Sequence, residues 1–318
     1  MAVDLTKVTK DLNTNPIIQA EVSKLVLEEI PHISTVMPRM TRLRNLMSNE
    51  LEMKALSMIP YAGWVESGGL KPLSGIGWDN RSIRVRELAV VVPIKDNVIR
   101  DARDSEMGID IWAEVQKWVI HSGAVLIDQA FLYGAGVNPA WEMDNVYDIA
   151  VKAGAVKTST GDLYQDLMGE NGIESIVEVN EYNPNLWVAG RQSKGKLRGV
   201  VDATGQPLFR QGVNDGSAWM LDTLPIEFQS APIWDKTKAD FIVGDFSQFV
   251  YAIRQDVTFT PFTEGVISDE SGKILTNLMQ EDSSALRMVM RLAWGCPIKL
   301  HDGLNTASRS PFAVLKAA

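Results

Sequence analysis

The apolar positions of this chain change period several times, and each change marks an element. Residues 1–57 are polar and mostly helix-compatible. Within them Ile17, Ile18, Val22 and Leu25, followed by Val26, recur at helical spacing until Pro31 stops the run. Pro38 interrupts the next stretch, and Leu43, Leu46 and Met47 form a second small apolar patch. So few large apolar side chains do not close a core of their own. The stretch reads as an arm that docks elsewhere.

Residues 58–92 follow a different pattern. Seven glycines and prolines punctuate the stretch from Pro60 to Gly77, after which Arg81, Ile83, Arg84, Val85, Arg86 and Leu88 interleave charged and apolar side chains. This predicts a two-stranded β-ribbon with a wide, irregular tip. A lone two-stranded ribbon is marginal in water. This one carries Trp64 and Trp78, which solvent would waste. The simplest physical expectation is that another subunit covers it.

Past Pro93, which suits a strand edge or a crossing between elements, comes the clearest helix, Ile109 to Tyr133. Ile109, Trp112, Val115, Val119, Ile120, Ile127, Ala130 and Phe131 recur at helical spacing, and Gly134 and Gly136 end the run. At 1.5 Å per residue this helix is about 37 Å long. Gly123 inside it costs about 1 kcal/mol of propensity, which a close packing partner would explain.

A mixed region comes next. Asp162 is placed to cap a helix through Leu163, Tyr164, Leu167 and Met168. Residues 170–181 and 194–198 read as short helices. Residues 186–189, 223–231 and 239–244 read as strands, and 199–216 as glycine-rich loop. Residues 249–253, 257–262, 286–294 and 312–315 read as further strands, with Pro297 to Leu300 continuing one past a bend. Helices and strands mixed in this way predict an α+β chain.

Composition narrows the class. The 318 residues are 45 % apolar and 22 % charged, an ordinary globular balance with enough chain for a real core. A net charge of −9 argues against a dedicated nucleic-acid-binding surface but not against a wall that surrounds nucleic acid without gripping it. The single cysteine, Cys296, excludes an intrachain disulfide and a multi-cysteine zinc site. The N-terminal stretch lacks the apolar core of a secretion signal, and no segment reaches the roughly 20 apolar residues that span a bilayer. These features imply synthesis in a reducing cytosol.

Candidate chemistry is sparse. His32, His121 and His301 form no metal-binding pair. Glu174 and Glu178, like Asp144 and Asp148, stand four residues apart, and a solvated helix face is the expected reading of each pair. Ser67-Gly68-Gly69 and Gly134-Ala135-Gly136 precede no phosphate-binding helix, and Gly244-Asp245-Phe246 reads as a strand-exit turn. No catalytic residue, metal ligand or cofactor is assigned. Lys71 in the ribbon tip reads as exposed or ion-pairing. Arg81, Arg84 and Arg86 would either solubilise the ribbon or pair with acidic groups of a neighbour, fixing register.

Several stretches together resemble one family. Ile59-Pro60, Trp64 and Glu66 resemble the start of the extended loop of the tailed-bacteriophage major capsid proteins with the HK97-type fold. Leu88 to Arg100 resembles the return from that loop. Residues 109–136, with Asp128-Gln129-Ala130-Phe131-Leu132-Tyr133-Gly134, resemble the spine helix and its glycine turn. Leu224-Pro225-Ile226, Gly244-Asp245-Phe246 and Arg291 to Pro297 resemble later landmarks of the axial and peripheral domains.

The resemblance implies an arm and linker at 1–57, an extended loop (E-loop) at 58–92, a peripheral domain with spine helix at 93–149, an axial domain at 150–244, and peripheral strands with a C-terminal segment at 245–318. It implies subunits that gather as hexamers and pentamers into an icosahedral shell around double-stranded DNA, with a portal protein and a possible decoration protein as partners. Assembly is then expected in the host bacterial cytoplasm and the mature location in the virion. Inter-subunit contacts are expected from Trp64, Glu66, Lys71, Trp78, Arg81, Arg84 and Arg86, and arm contacts from Ile17, Ile18, Val22 and Leu25. The spine helix core is expected at Ile109, Trp112, Ile120, Ile127 and Phe131. Family-like sequence starts within the first 60 residues, so scaffolding is expected from a separate protein. Lys71 has no matched acceptor, so the shell is expected to be non-covalent. Two rivals remain open: an encapsulin-like compartment around protein cargo, and a soluble hydrolase with an acidic site.

Overall fold

The computed structural model describes residues 34–58, 60, 62–104, 111–141, 143–200, 219–269, 271–297 and 309–317. The expected arm residues Ile17, Ile18, Val22 and Leu25, the helix residue Ile109, and His32 and His301 lie outside the described residues, as does the stretch 298–300. The described chain divides into two compact units, one built on residues 86–124 and 253–292, the other on 34–85, 125–252 and 293–318.

In the first unit, Arg86–Lys95 and Ser283–Gly295 pair antiparallel over ten registered positions, from Lys95 opposite Ser283 to Arg86 opposite Leu292. Ser283–Gly295 runs between Arg86–Lys95 and Val250–Phe262, so Arg86–Lys95 lies at the sheet edge. Pro93, which has no N–H to donate, sits on that edge strand. The helix Asp96–Asp104 comes directly after it, and the sequence reading did not anticipate it. The core here is Ile94, Trp112 and Leu286, with Val92, Ile99, Val115 and Phe259 packed against it. Between the two long strands, Val266–Ser268 and Ile274–Asn277 form a small antiparallel pair.

The second unit is built on a six-stranded mixed sheet. Its order is Val156–Thr158, Phe312–Lys316, Phe241–Gly244, Leu186–Gly190, Leu224–Gln229, Met220–Leu221. The central strands are covered on both faces, which is why they read as unbroken apolar runs (LWVAG, FIVG, FAVL) rather than as alternation. Helices Val146–Lys152 and Ile173–Val179 pack on Phe312–Lys316, and Ser193–Gly199 packs on Leu186–Gly190. Asp162 caps Leu163–Met168 by accepting from Gln165 N–H. An aromatic cluster ties these parts together: Phe131 meets Trp294 at 4.5 Å and Phe249 at 5.9 Å between ring centres, and Phe312 meets Phe246 at 5.2 Å and Phe249 at 5.4 Å.

The long helix runs Ile111–Tyr133 in the described chain. Trp112, Ile120, Ile127 and Phe131 are all buried. Gly134 ends it with φ of +66°, a left-handed geometry that any side chain with a Cβ resists. Gly123 is buried, yet a methyl there would meet Leu88 and Met288 at an ordinary 3.5 and 3.6 Å. Its close partners therefore exist but do not require a glycine.

Three expectations change. The ribbon's first strand is Glu50–Met58, inside the stretch read as helix-compatible. Its sequence ELEMKALSM is rich in helix formers, and pairing with Gly77–Arg84 overrides that preference. Residues 249–253 and 257–262 belong to one strand, Val250–Phe262, whose polar triplet Arg254, Gln255 and Asp256 stays extended. The two acidic pairs are not matched solvated faces. Glu174 is buried while Glu178 is exposed. Asp144 precedes the helix that holds Asp148 and accepts from Cys296 N–H at 2.9 Å, while Asp148 accepts from Asn145 Nδ2 at 2.8 Å.

Candidate subunit interface

The ribbon has a fastened base and an uncovered tip. Glu50–Met58 and Gly77–Arg84 pair antiparallel from Glu50 opposite Arg84 outward, with an irregularity between Leu56 and Met58. Side chains alternate in direction along each strand. One face sends Leu51, Met53 and buried Ile83 against Leu46, Ala252 and Ala293, with Leu43, Val85 and Val250 around them. The opposite face presents Glu50, Glu52, Lys54, Asn80, Ser82 and Arg84 to solvent.

Charge organises that outer face. Arg84 Nε lies 3.2 Å from Glu50 Oε1 across the strands. Hydrogen bonding from Ser82, then from Arg84 with its charge, holds the Glu50 carboxyl below the usual range. The base thus carries its own ion pair, and Arg84 commits its guanidinium within the ribbon. Arg86 lies on the neighbouring edge strand opposite Leu292 and is half-buried. Arg81 sits opposite Met53 in the backbone register.

Beyond the base, residues 62–76 hold no regular strand apart from a tight turn in which Gly69 N–H donates to the Glu66 carbonyl at 2.9 Å. Trp64, Leu70 and Leu73 stand at 106, 97 and 94 % exposure, with Val65, Ile76 and Trp78 also exposed. Glu66 and Lys71 are exposed beside them. Six exposed large apolar side chains on one short segment are more than a protein surface usually leaves in water. The expected tip residues Trp64, Glu66, Lys71 and Trp78 are all exposed, and their own chain does not shield them.

Two features escaped the sequence reading. The first is a buried carboxylate, Asp128, inside the apolar run of the long helix. Ser34 Oγ donates to Asp128 Oδ1 at 2.5 Å, and Thr35 N–H and Oγ1 donate to Oδ2 at 3.1 and 3.3 Å. Gln229 Nε2 donates in turn to Thr35 Oγ1. Burial pushes the Asp128 carboxyl up, and the hydrogen bonds from Ser34, Thr35 and the Val36 N–H oppose it. A lone aspartate in the run AVLIDQAFLY was the available signal. The second is Trp118, which stands 69 % exposed on the long helix with His121 edge-on at 6.2 Å.

Among the described residues no group of three or more histidine, cysteine, aspartate or glutamate side chains is placed to hold a metal ion. Among them also, no helix is long and apolar enough to cross a membrane. A pocket of about 450 Å³ lies past the end of the long helix, lined by Tyr133, Asn138, Asp144, Asp148 and Lys152 among others.

A mixed α+β body with a long central helix and a ribbon that its own chain leaves uncovered defines a subunit of a larger assembly. Residues 15–295 match the phage capsid family, and the chain belongs to that family. Its fold is of the HK97 type. It is 23 % identical over 280 residues to the major capsid protein of Staphylococcus phage 80alpha, covering 86 % of this chain and 79 % of that protein. A solved chain from Microbacterium phage Oxtober96 superposes with a TM-score of 0.76 at 26 % identity, covering 90 % of this chain and 91 % of that one. A chain from Mycobacterium phage Cain superposes with a TM-score of 0.74 at 24 % identity, covering 90 % of each.

Proposed function

We propose that this chain is the major capsid protein of a tailed phage, assembling as hexamers and pentamers into an icosahedral shell around double-stranded DNA. The observation that carries the reading is the apolar ribbon tip, from Trp64 to Trp78, which the subunit's own fold leaves bare. Burial of apolar surface contributes about 25 cal/mol per Å² before ordering costs, so a tip of this size docked on a second copy stabilises each contact by several kcal/mol. Repeated around a closed shell, such contacts suffice without turnover chemistry. The chain acts as a structural protein rather than an enzyme.

In this reading Trp64, Glu66, Lys71 and Trp78 meet the neighbour. Arg81, Arg84 and Arg86 flank the contact, and Arg84 reaches it as half of the Glu50 pair. Lys71 acts as a rim charge in a non-covalent shell. Residues 1–57 supply the arm, 58–92 the loop, 93–149 and 245–318 the peripheral domain, and 150–244 the axial domain. A portal protein and a separate scaffolding protein complete assembly in the host cytoplasm, and a decoration protein is a further possible partner. The net charge of −9 suits a wall that lets packaged DNA slide.

Negative-stain microscopy of the protein produced with its scaffold tests the reading. Closed shells or curved sheets are the expected outcome. A uniform monomer or dimer under all assembly conditions overturns it, and shells that retain protein cargo in place of DNA redirect it to a cellular compartment.

A further inference from the structure

Four cations crowd one short segment of the second unit. Arg191, Lys194, Lys196 and Arg198 fall within eight residues that hold no acidic side chain, in a chain whose net charge is −9. Among the described residues Lys196 pairs with Asp240 at 2.5 Å, and no carboxylate pairs with Arg191, Lys194 or Arg198. Two of these cations rest on aromatic rings. Lys194 Nζ stands 4.5 Å from the centre of the Phe228 ring and 5.7 Å from that of Trp219, and the Arg198 guanidinium stands 5.7 Å from Trp219. Trp219 and Phe228 meet edge to face at 5.6 Å. The rings hold the cations in place without neutralising them. Glu227, next to Phe228 in the strand Leu224–Gln229, points to the other face and pairs with Arg39 at 3.8 Å.

The opposite end of the same strand is acidic. Arg191 N–H donates to the Gln229 carbonyl at 3.0 Å, which fixes Arg191 at the strand's exit. Asp222 stands at its entry, in the two-residue turn from Met220–Leu221, where Asp222 and Thr223 take φ of 42° and 66°. The length of the strand separates the two ends by about 17 Å. Burial, then the charges of Asp222 and Glu178, push the Glu174 carboxyl up to about 7, so both carboxylates lie within electrostatic reach of Glu174. Asp222 and Glu178 are exposed, and each has an exposed apolar neighbour in the chain, Met220 and Val179. Among the described residues no ion pair reaches Asp222 or Glu178.

A basic corner and an acidic corner held a strand's length apart do not satisfy each other within one subunit. A second copy brings the missing charge to each. A contact between unlike patches is head-to-tail, so it repeats from copy to copy until a ring closes. Unpaired cations seated on aromatic rings suit such a surface better than a solvated one, because arginine and aromatic side chains are enriched where subunits meet.

We propose that the Arg191–Lys194–Arg198 corner of one subunit docks on the Glu178–Asp222 end of the next copy around the ring. The inference rests on the ring assembly proposed above and names the surfaces that meet in it. Charge complementarity sets the register of the contact, and Trp219 and Phe228 keep the cations aimed at it.

The test is assembly of the full chain with its scaffold, read by sedimentation. Lys194→Glu with Arg198→Glu reverses the basic corner, and Glu178→Lys with Asp222→Lys reverses the acidic one. Each double variant is expected to raise the subunit concentration needed for assembly by about tenfold. A chain carrying all four substitutions reverses both sides of every contact and is expected to recover to within about threefold of the parent. That recovery also shows that the substitutions leave the fold intact. Double variants that assemble like the parent overturn the proposal while the shell stands, as does a four-substitution chain no better than the doubles. Impairment of the basic-corner variant alone assigns that corner to another polyanion, such as nucleic acid, and overturns it too. A parent that assembles under no condition removes both this contact and the shell.

Discussion

Ser34 and Asp128 lie 94 residues apart in the chain, yet the hydroxyl of one donates to the carboxylate of the other at 2.5 Å. This contact fixes the point from which the N-terminal segment departs. Asp128→Ala strips the acceptor from Ser34 Oγ, Thr35 N–H and Thr35 Oγ1 in a buried place. The expected loss is about 2–4 kcal/mol, read by urea denaturation of the unassembled subunit. Asp128→Asn keeps one acceptor oxygen and loses less. Identical midpoints for all three proteins would remove the structural role assigned to this carboxylate.

The ribbon tip separates assembly from folding. Trp64→Ala combined with Leu73→Ala removes side chains that touch little of their own subunit. Subunit stability is expected to change by less than about 0.5 kcal/mol. Assembly, measured by sedimentation, is expected to weaken by more than about 1 kcal/mol per contact. A double variant that assembles normally, or one that unfolds as a monomer, contradicts the division between base and tip.

Two buried glycines respond oppositely to a methyl group. At Gly123 the new carbon meets Leu88 and Met288 at ordinary contact distance, so Gly123→Ala raises stability by about 0.5–1 kcal/mol through helix propensity. At Gly244 the new carbon collides with the Phe312 ring and the Pro311 carbonyl, a neighbour of the paired sheet that has no room to retreat. Gly244→Ala is expected to cost about 1–3 kcal/mol. Thermal midpoints of the two variants should move in opposite directions.

Glu174 gives the subunit a pH dependence. Burial, followed by the charges of Asp222 and Glu178, pushes its carboxyl up to about 7 from the usual 4.5. The folded state then holds a proton that the unfolded chain releases between those values. Stability is fully present below the unfolded value and is lost as pH rises through about 7. Glu174→Gln removes that slope and is more stable than the parent above pH 7. Parallel stability–pH curves for the two proteins would show that Glu174 titrates normally.

The elements most legible in the sequence were those whose local and tertiary preferences agree. The long helix announced itself through Trp112, Ile120, Ile127 and Phe131, all buried, and through Gly134, which takes the left-handed turn. The runs LWVAG and FIVG read as covered strands because both faces of the sheet are packed. Glu50–Met58 did not announce itself, because glutamate, leucine, methionine, lysine and alanine favour helix and only the partner strand holds them extended. Of the candidate interface, the tip tryptophans were visible as apolar groups in a glycine-rich stretch. The Glu50–Arg84 pair was not, since its partners lie 34 residues apart and meet only through register. Asp128 was hidden for a related reason: a single carboxylate in an apolar helix shows that something must satisfy it, but not that Ser34 and Thr35 do.

The contrast between Ile83, locked at the foot of the ribbon, and Trp64, free at its end, has a geometric consequence. In the proposed shell, a grip whose root is rigid while its far end is irregular tolerates changes in the angle between adjoining copies. Flat and curved neighbourhoods can then be tiled by one polypeptide, the difference in bend being absorbed within the fifteen or so residues that carry no ladder of their own.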